Sequence, residues 1–231
     1  MAGRRTRRTA IALFLFITYQ VFSIYVSTPL KIGSRAMEPA LYEGDRLLFS
    51  RLLMQAHNTL SRQLDVFGLG RGDLVVIQPP YYRENQRPLE LINPIIRFFT
   101  FQKMQFSSYS RYDWESPYMV KRVVGLPGDT VRIDHHHVFI RPEGEAEFRV
   151  ENELVNDRYT LMLPDLPEEW RDGYPLDGSG EDVLLGEDEF FLVSDSRGRG
   201  SDSFSWGPLD RSQILGKVFF RYWPFSRISI P

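Results

Sequence analysis

The sequence predicts a mainly β protein, with an antiparallel sheet or barrel-like body, a smaller inserted region of strands and loops, and one N-terminal transmembrane helix. Three observations carry this reading. Short apolar or β-branched runs recur between turn residues, among them Arg46-Leu-Leu-Phe-Ser50, Leu74-Val-Val-Ile77, Tyr118-Met-Val-Lys-Arg-Val-Val124, Thr130-Val-Arg-Ile133 and Glu189-Phe-Phe-Leu-Val193. Glycine and proline fill 17 and 15 positions and leave little uninterrupted chain for long helices. Apolar residues make up 42% and aromatics 14% of the 231 residues, enough for a packed core.

The chain opens with a basic segment, residues 1–9, in which Arg4, Arg5, Arg7 and Arg8 form the main cationic cluster. Residues 10–27 follow, and the run from Ala10 to Val26 holds no charge. At about 17 residues it is at the short end of what spans a bilayer. Arginines before it and few positive charges after it orient the N-terminus to the cytoplasm and the body outside the cell membrane, as a single-pass anchor. A cleaved signal peptide would need small residues next to the apolar run, and Ser34-Arg35-Ala36 is distant and charged. A core helix would not begin with four arginines. The lipid bilayer is thus an expected partner.

Composition excludes other classes. A net charge of -2 gives no surface for phosphate backbones, so no nucleic-acid partner is expected. With no cysteine there is no disulfide, thiolate metal site or cysteine nucleophile.

The body is expected to comprise residues 28–133 and 187–231, with residues 134–186 inserted. Arg71-Gly72-Asp73 stands directly before a strand and reads as a tight turn rather than an adhesion motif. Asn93 to Met104 suits either a buried helix capped by Asn93 or a patch touching the lipid interface. His135, His136 and His137 are consecutive and so point apart, which makes a turn the better reading than a metal site. Residues 134–186 are polar, with weak strand signals at Val138-Phe-Ile140 and Phe148-Arg-Val150. Ile214 to Trp223 reads as a strand pair or one long strand.

Lys121 bears the chemistry. Alternation along its strand places it on a face with Met119 and Val123, where lost hydration lowers a lysine's pKa and lets the neutral amine act as a general base. By itself such a lysine more often reaches water or a carboxylate.

Four blocks occur in order: Lys31-Ile-Gly-Ser-Arg-Ala-Met-Glu-Pro-Ala-Leu-Tyr-Glu-Gly-Asp45, Arg71-Gly-Asp-Leu-Val-Val76, Lys121-Arg-Val-Val-Gly-Leu-Pro-Gly-Asp129, and Ser194-Asp-Ser-Arg197 with Ser201-Asp-Ser203 and Trp206-Gly207. Together they resemble the signal peptidase I family, membrane-anchored serine endopeptidases that use a Ser/Lys dyad to remove signal peptides from exported preproteins. The resemblance implies Lys121 as general base and Ala36 at the nucleophile position. It implies an oxyanion hole from the Ser34 hydroxyl and the backbone N–H of Ala36. Met37, Pro39, Asp129, Asp195, Arg197 and Asp202 take supporting places. Neither metal nor other cofactor is implied.

Three positions depart from the family pattern. Ala36 replaces the nucleophilic serine, Gly200 the serine that bonds the lysine, and Phe204 the arginine that ends the acidic loop. Without a hydroxyl at 36 no acyl-enzyme forms, so the chain is expected to be inactive as a peptidase. Ser34 is a poor substitute, because two residues along an extended chain span about 6.6 Å. The alternative function is a non-catalytic anchored binder of signal peptides, or a partner of an active paralogue. A cleavage assay with and without Ala36→Ser separates these readings.

Overall fold

The computed structural model describes residues 2–21, 28–51, 68–81, 118–164 and 179–231. The Asn93–Met104 stretch lies outside them. Helix α1 runs from Ala2 to Val21, so it takes in the whole arginine cluster and does not begin at Ala10. Among the described residues no helix is long and apolar enough to cross a membrane. The charged first turns dilute the apolar run, and residues 22–27, which continue it in the sequence, are outside the described chain. The expected anchor is therefore not given by this helix.

Two antiparallel sheets form the body. The strands of the larger are β1 (Thr28–Lys31), β2 (Arg46–Ser50), β3 (Leu74–Ile77), β4 (Met119–Gly125), β9 (Glu189–Val193), β10 (Leu209–Asp210) and β11 (Ile214–Trp223). Their order is β1-β2-β11-β3-β4-β9-β10. The smaller sheet is β7-β6-β5-β8, from β5 (Thr130–Asp134), β6 (His137–Arg141), β7 (Arg149–Val150) and β8 (Gly180–Leu184). β5, which the sequence division assigns to the larger body, pairs on both edges within the smaller sheet. The 214–223 segment is one strand of ten residues and not a pair. It lies between β2 and β3, and register shifts along it bend the ladder.

Strands β3 and β4 are buried almost throughout, as expected of strands covered on both faces. One cluster packs Ile32, Met37, Leu41, Leu47, Phe49, Leu74 and Val76, a second packs Val75, Ile77, Val123, Leu192 and Ile214, and a third joins the sheets. In the third, Val124, Phe191 and Val193 of the larger sheet meet Val131, Ile133, Val138 and Ile140 of the smaller. Gly125 stands at that junction, where an added Cβ would lie 2.7 Å from Leu185 and 2.8 Å from Phe191. Side chains there would force the sheets apart.

Local chemistry sets the turns. Gly72, at φ 91°, allows the Gly70–Asp73 turn, whose Arg71 makes two 2.8 Å bonds to Asp129. Arg71-Gly72-Asp73 is thus a turn tied into the core. His135 and His136, both at positive φ, are the two turn residues of the β5–β6 hairpin. Among the described residues no group of His, Asp or Glu is arranged to hold a metal.

Candidate active site

β4 holds Lys121 in the middle of the larger sheet, opposite Val75 of β3. Its side chain is 1% exposed, and Nζ donates to Ser194 Oγ at 2.7 Å. Ser194 immediately follows β9, the other neighbour of β4. Burial lowers the lysine pKa to about 8, opposed by the nearby carboxylates of Asp202 and Asp195 and assisted by Arg197. The lost hydration read from the sequence is therefore present, although its source is a strand buried on both faces.

Each supporting carboxylate has its own task. Asp202 accepts from Ser194 N at 3.0 Å and Phe204 N at 3.1 Å, and caps the short helix α2 (Ser203–Trp206) in a reciprocal arrangement with Ser205. Asp195 receives two bonds from Arg122, at 2.7 and 2.5 Å. Arg122 also donates to Gly72 O at 2.6 Å and lies 4.0 Å over the Tyr159 ring. These bonds fix the loop after β9 against β4.

The Ala36 loop comes from between β1 and β2. Residues 36–40 are a turn, with Glu38 N bonded to Arg35 O and Leu41 N to Met37 O. The extended spacing assumed between Ser34 and Ala36 does not apply, since the chain curls there. Met37 is buried in the first cluster, and Pro39 follows a cis bond from Glu38. Ser34 is exposed, and its hydroxyl has no hydrogen-bond partner among the described residues.

The two loops meet at Ala36. Ser196 N donates to Ala36 O at 2.9 Å. A Cβ placed on Gly200 would lie 3.2 Å from the Ala36 methyl, 3.8 Å from Lys121 Nζ and 3.9 Å from Ser194 Oγ. Positions 36, 121, 194 and 200 therefore share one small space. Gly200 has φ 110°, a conformation unfavourable for any side chain. The hydroxyl that bonds the lysine comes from Ser194 instead.

Arg197 and Phe204 turn elsewhere. Arg197 is 1% exposed and makes two bonds to the buried Glu151, at 2.5 and 2.6 Å. Tyr159 donates to the same carboxylate at 2.6 Å, and its pKa is pushed far up by burial and by Glu151. Phe204 lies 5.5 Å beneath the Arg197 guanidinium and packs edge-on against Phe191. Asp129 serves the turn after β4, accepting from Leu126 N at 2.6 Å besides Arg71.

Sequence reasoning assigns no role to Ser194, Glu151, Tyr159 or Met162. Met162 pairs with the site loop in a parallel bridge, donating to Asp195 O and accepting from Arg197 N. Ser194 has a local signal, its place at the start of the quoted acidic block. The other three lie in a polar stretch with no periodicity to mark them.

The family model and the relatives matched by sequence extend over nearly the whole chain. The family model described as signal peptidase, peptidase S26 matches residues 5–223. A probable signal peptidase I-2 of Synechocystis sp. is 23% identical over 226 residues, covering 98% of this chain and 74% of the relative. Signal peptidase IB of Staphylococcus aureus is 23% identical over 216 residues, covering 91% and 85%. The crystal structure of a signal peptidase I from Enterococcus faecalis V583 aligns at 16% identity over 64% of this chain and 94% of that one, with a TM-score of 0.30.

Proposed function

The chain belongs to the signal peptidase, peptidase S26 family, and on that premise we propose that it engages signal peptides of exported preproteins without cleaving them. One observation carries the reading. The residue that shares a space with the buried Lys121 amine is Ala36, which has no hydroxyl to deprotonate. In this reading Lys121 keeps the general-base position, and the Ser34 hydroxyl with the Ala36 N–H keeps the oxyanion donors. Ser194 does not replace the nucleophile: it is fully buried and supports Nζ from within the sheet.

Residues 10–27 act as the membrane anchor, with residues 1–9 cytoplasmic and the β body outside. The charge-free run Ala10–Val26 supports this. Anchoring would hold the body next to the bilayer from which signal peptides emerge.

The test is cleavage of a model preprotein in detergent. The unaltered chain gives no turnover, and Ala36→Ser gives slow turnover that Lys121→Ala abolishes. Ordinary cleavage by the unaltered chain would overturn the reading.

A further inference from the structure

The loop that carries Ala36 is held on two flanks. On one, Ser196 N donates to Ala36 O at 2.9 Å. On the other, the chain beyond β11 folds back over the base of the loop. After Trp223 it makes the short 3-10 turn Phe225–Arg227 and returns to pair Ser229 with Arg221. Arg221 N donates to Ser229 O at 2.8 Å and Ser229 N to Arg221 O at 3.2 Å. The Arg221 side chain reaches further: Nε donates to Arg227 O at 2.7 Å, and Nη1 to Ala40 O at 2.8 Å and Asp45 Oδ2 at 3.2 Å. Arg227 Nη2 donates to the other Asp45 oxygen, and its guanidinium lies 4.6 Å from the centre of the Tyr42 ring. Asp45 is fully buried and also accepts from Tyr42 N at 3.0 Å. One buried carboxylate therefore joins the loop's own backbone to two guanidinium groups from the far end of the chain.

We propose that Arg221 and Arg227, acting through Asp45, are positioning residues that strap the Ala36 loop in place beside the Lys121 amine. The proposal rests on the reading of Ala36 and Lys121 as the centre of the site. The two side chains engage the loop at Ala40, Tyr42 and Asp45, and so act on residue 36 through the turn between. That turn is stiff. Leu41 N is bonded to Met37 O at 2.8 Å, and both side chains are buried in the first core cluster. A shift at Ala40 is therefore passed on to Ala36 rather than absorbed. The Ala36 methyl and Lys121 Nζ lie 3.2 and 3.8 Å from one point, the place that a Cβ on Gly200 would take. Movement of the loop would thus bring water towards the amine. The larger sheet does not depend on the strap, because β11 is already held between β2 and β3.

The experiment uses the detergent-solubilised full chain, amide hydrogen exchange and a lysine-selective NMR titration. Arg227→Met speeds exchange of the Leu41 and Tyr42 amides about tenfold or more, because a buried carboxylate oxygen loses its charged donor, while amides of β3 and β4 keep their rates. Lys121 Nζ then titrates higher, moving from about 8 toward 10.5 as water reaches it. Arg227→Lys, which keeps a cationic donor, restores much of both. Adding Arg227→Met to Asp45→Asn releases the loop no further than Asp45→Asn alone. One readout needs no variant to fold. In the unaltered chain every opening of the strap must free the loop, so Leu41 and Tyr42, corrected for intrinsic rates, exchange at least as readily as the Ser229 amide bonded to Arg221 O. Exchange at Ser229 with Leu41 and Tyr42 still protected overturns the strap. So does unchanged loop exchange in Arg227→Met, equal acceleration across β3 and β4, or faster loop exchange with an unmoved Lys121 pKa. None of these readouts requires a peptide, so failure of the strap is distinct from failure of the signal-peptide reading.

Discussion

Lys121 donates to the Ser194 hydroxyl at 2.7 Å, a bond across 73 residues that ties β4 to the loop after β9. The hydroxyl oxygen accepts from the ammonium, so it favours the charged form against burial. Ser194→Ala therefore lowers the Lys121 pKa further below about 8. Lysine-selective NMR titration of Nζ measures the change, and an unchanged or raised value contradicts that bond.

Burying that ammonium is costly. The folded pKa of about 8 lies below the 10.5 of a free lysine, so the unfolded chain binds the extra proton between those two pH values. Stability from this group consequently rises as pH climbs from about 8 to 10.5 and is lowest below 8. Lys121→Met is expected to stabilise the fold at pH 7 by up to about 3 kcal/mol, because each tenfold weakening of proton binding on folding costs about 1.4 kcal/mol. The gain should shrink as the pH passes about 10. Denaturant unfolding under neutral and strongly alkaline conditions compares the two.

Arg197 and Glu151 form a pair that is almost wholly out of solvent, at 0% and 1% side-chain exposure. Glu151→Leu leaves a guanidinium buried with no carboxylate beside it, and should cost about 3–5 kcal/mol. The double variant Glu151→Leu with Arg197→Met should lose much less than the two single changes combined. Urea denaturation of the four proteins closes the cycle.

Restoring a serine at 200 is not a simple reversal. Gly200 lies at φ 110°, and its Cβ would approach the Ala36 methyl to 3.2 Å. Gly200→Ser should destabilise by about 1–3 kcal/mol. With Ala36→Ser in the same chain the crowding grows, so the double variant cleaves no faster than Ala36→Ser alone. Thermal melts and the preprotein assay read the two effects.

The larger sheet is legible in the sequence because its strands are short, apolar and bounded by Gly and Pro, as at Leu74–Ile77 and Glu189–Val193. β1 and β8 are not, because Thr28–Lys31 holds a proline and Gly180–Leu184 is largely exposed and acidic. β5 falls in the wrong sheet on sequence grounds because strand patterning marks which residues are buried and not which strands pair. In the site, Lys121, Ala36 and Gly200 are identified from motif order, and the fold places them around one space. Ser194 stands in a motif without a role, since its function depends on a strand 73 residues away in sequence. Glu151 and Tyr159 cannot be recognised from their surroundings, because their partners, Arg197 and Arg122, are known only once the smaller sheet is folded against the larger.

Gly125 has an implication for how such a chain can be remodelled. It ends β4 directly beside Leu185, Phe191 and Val131, where even one methyl group is excluded. Residues 134–186 look like a dispensable insertion, yet they supply Val138, Ile140 and Leu185 to that junction and Glu151 and Met162 to the loop after β9. Excision would strip cover from Val124 and Phe191 and release the acidic loop together. The smaller sheet is therefore not an ornament that descendants of this chain can trim, and shortened versions should lose the site before they lose the larger sheet.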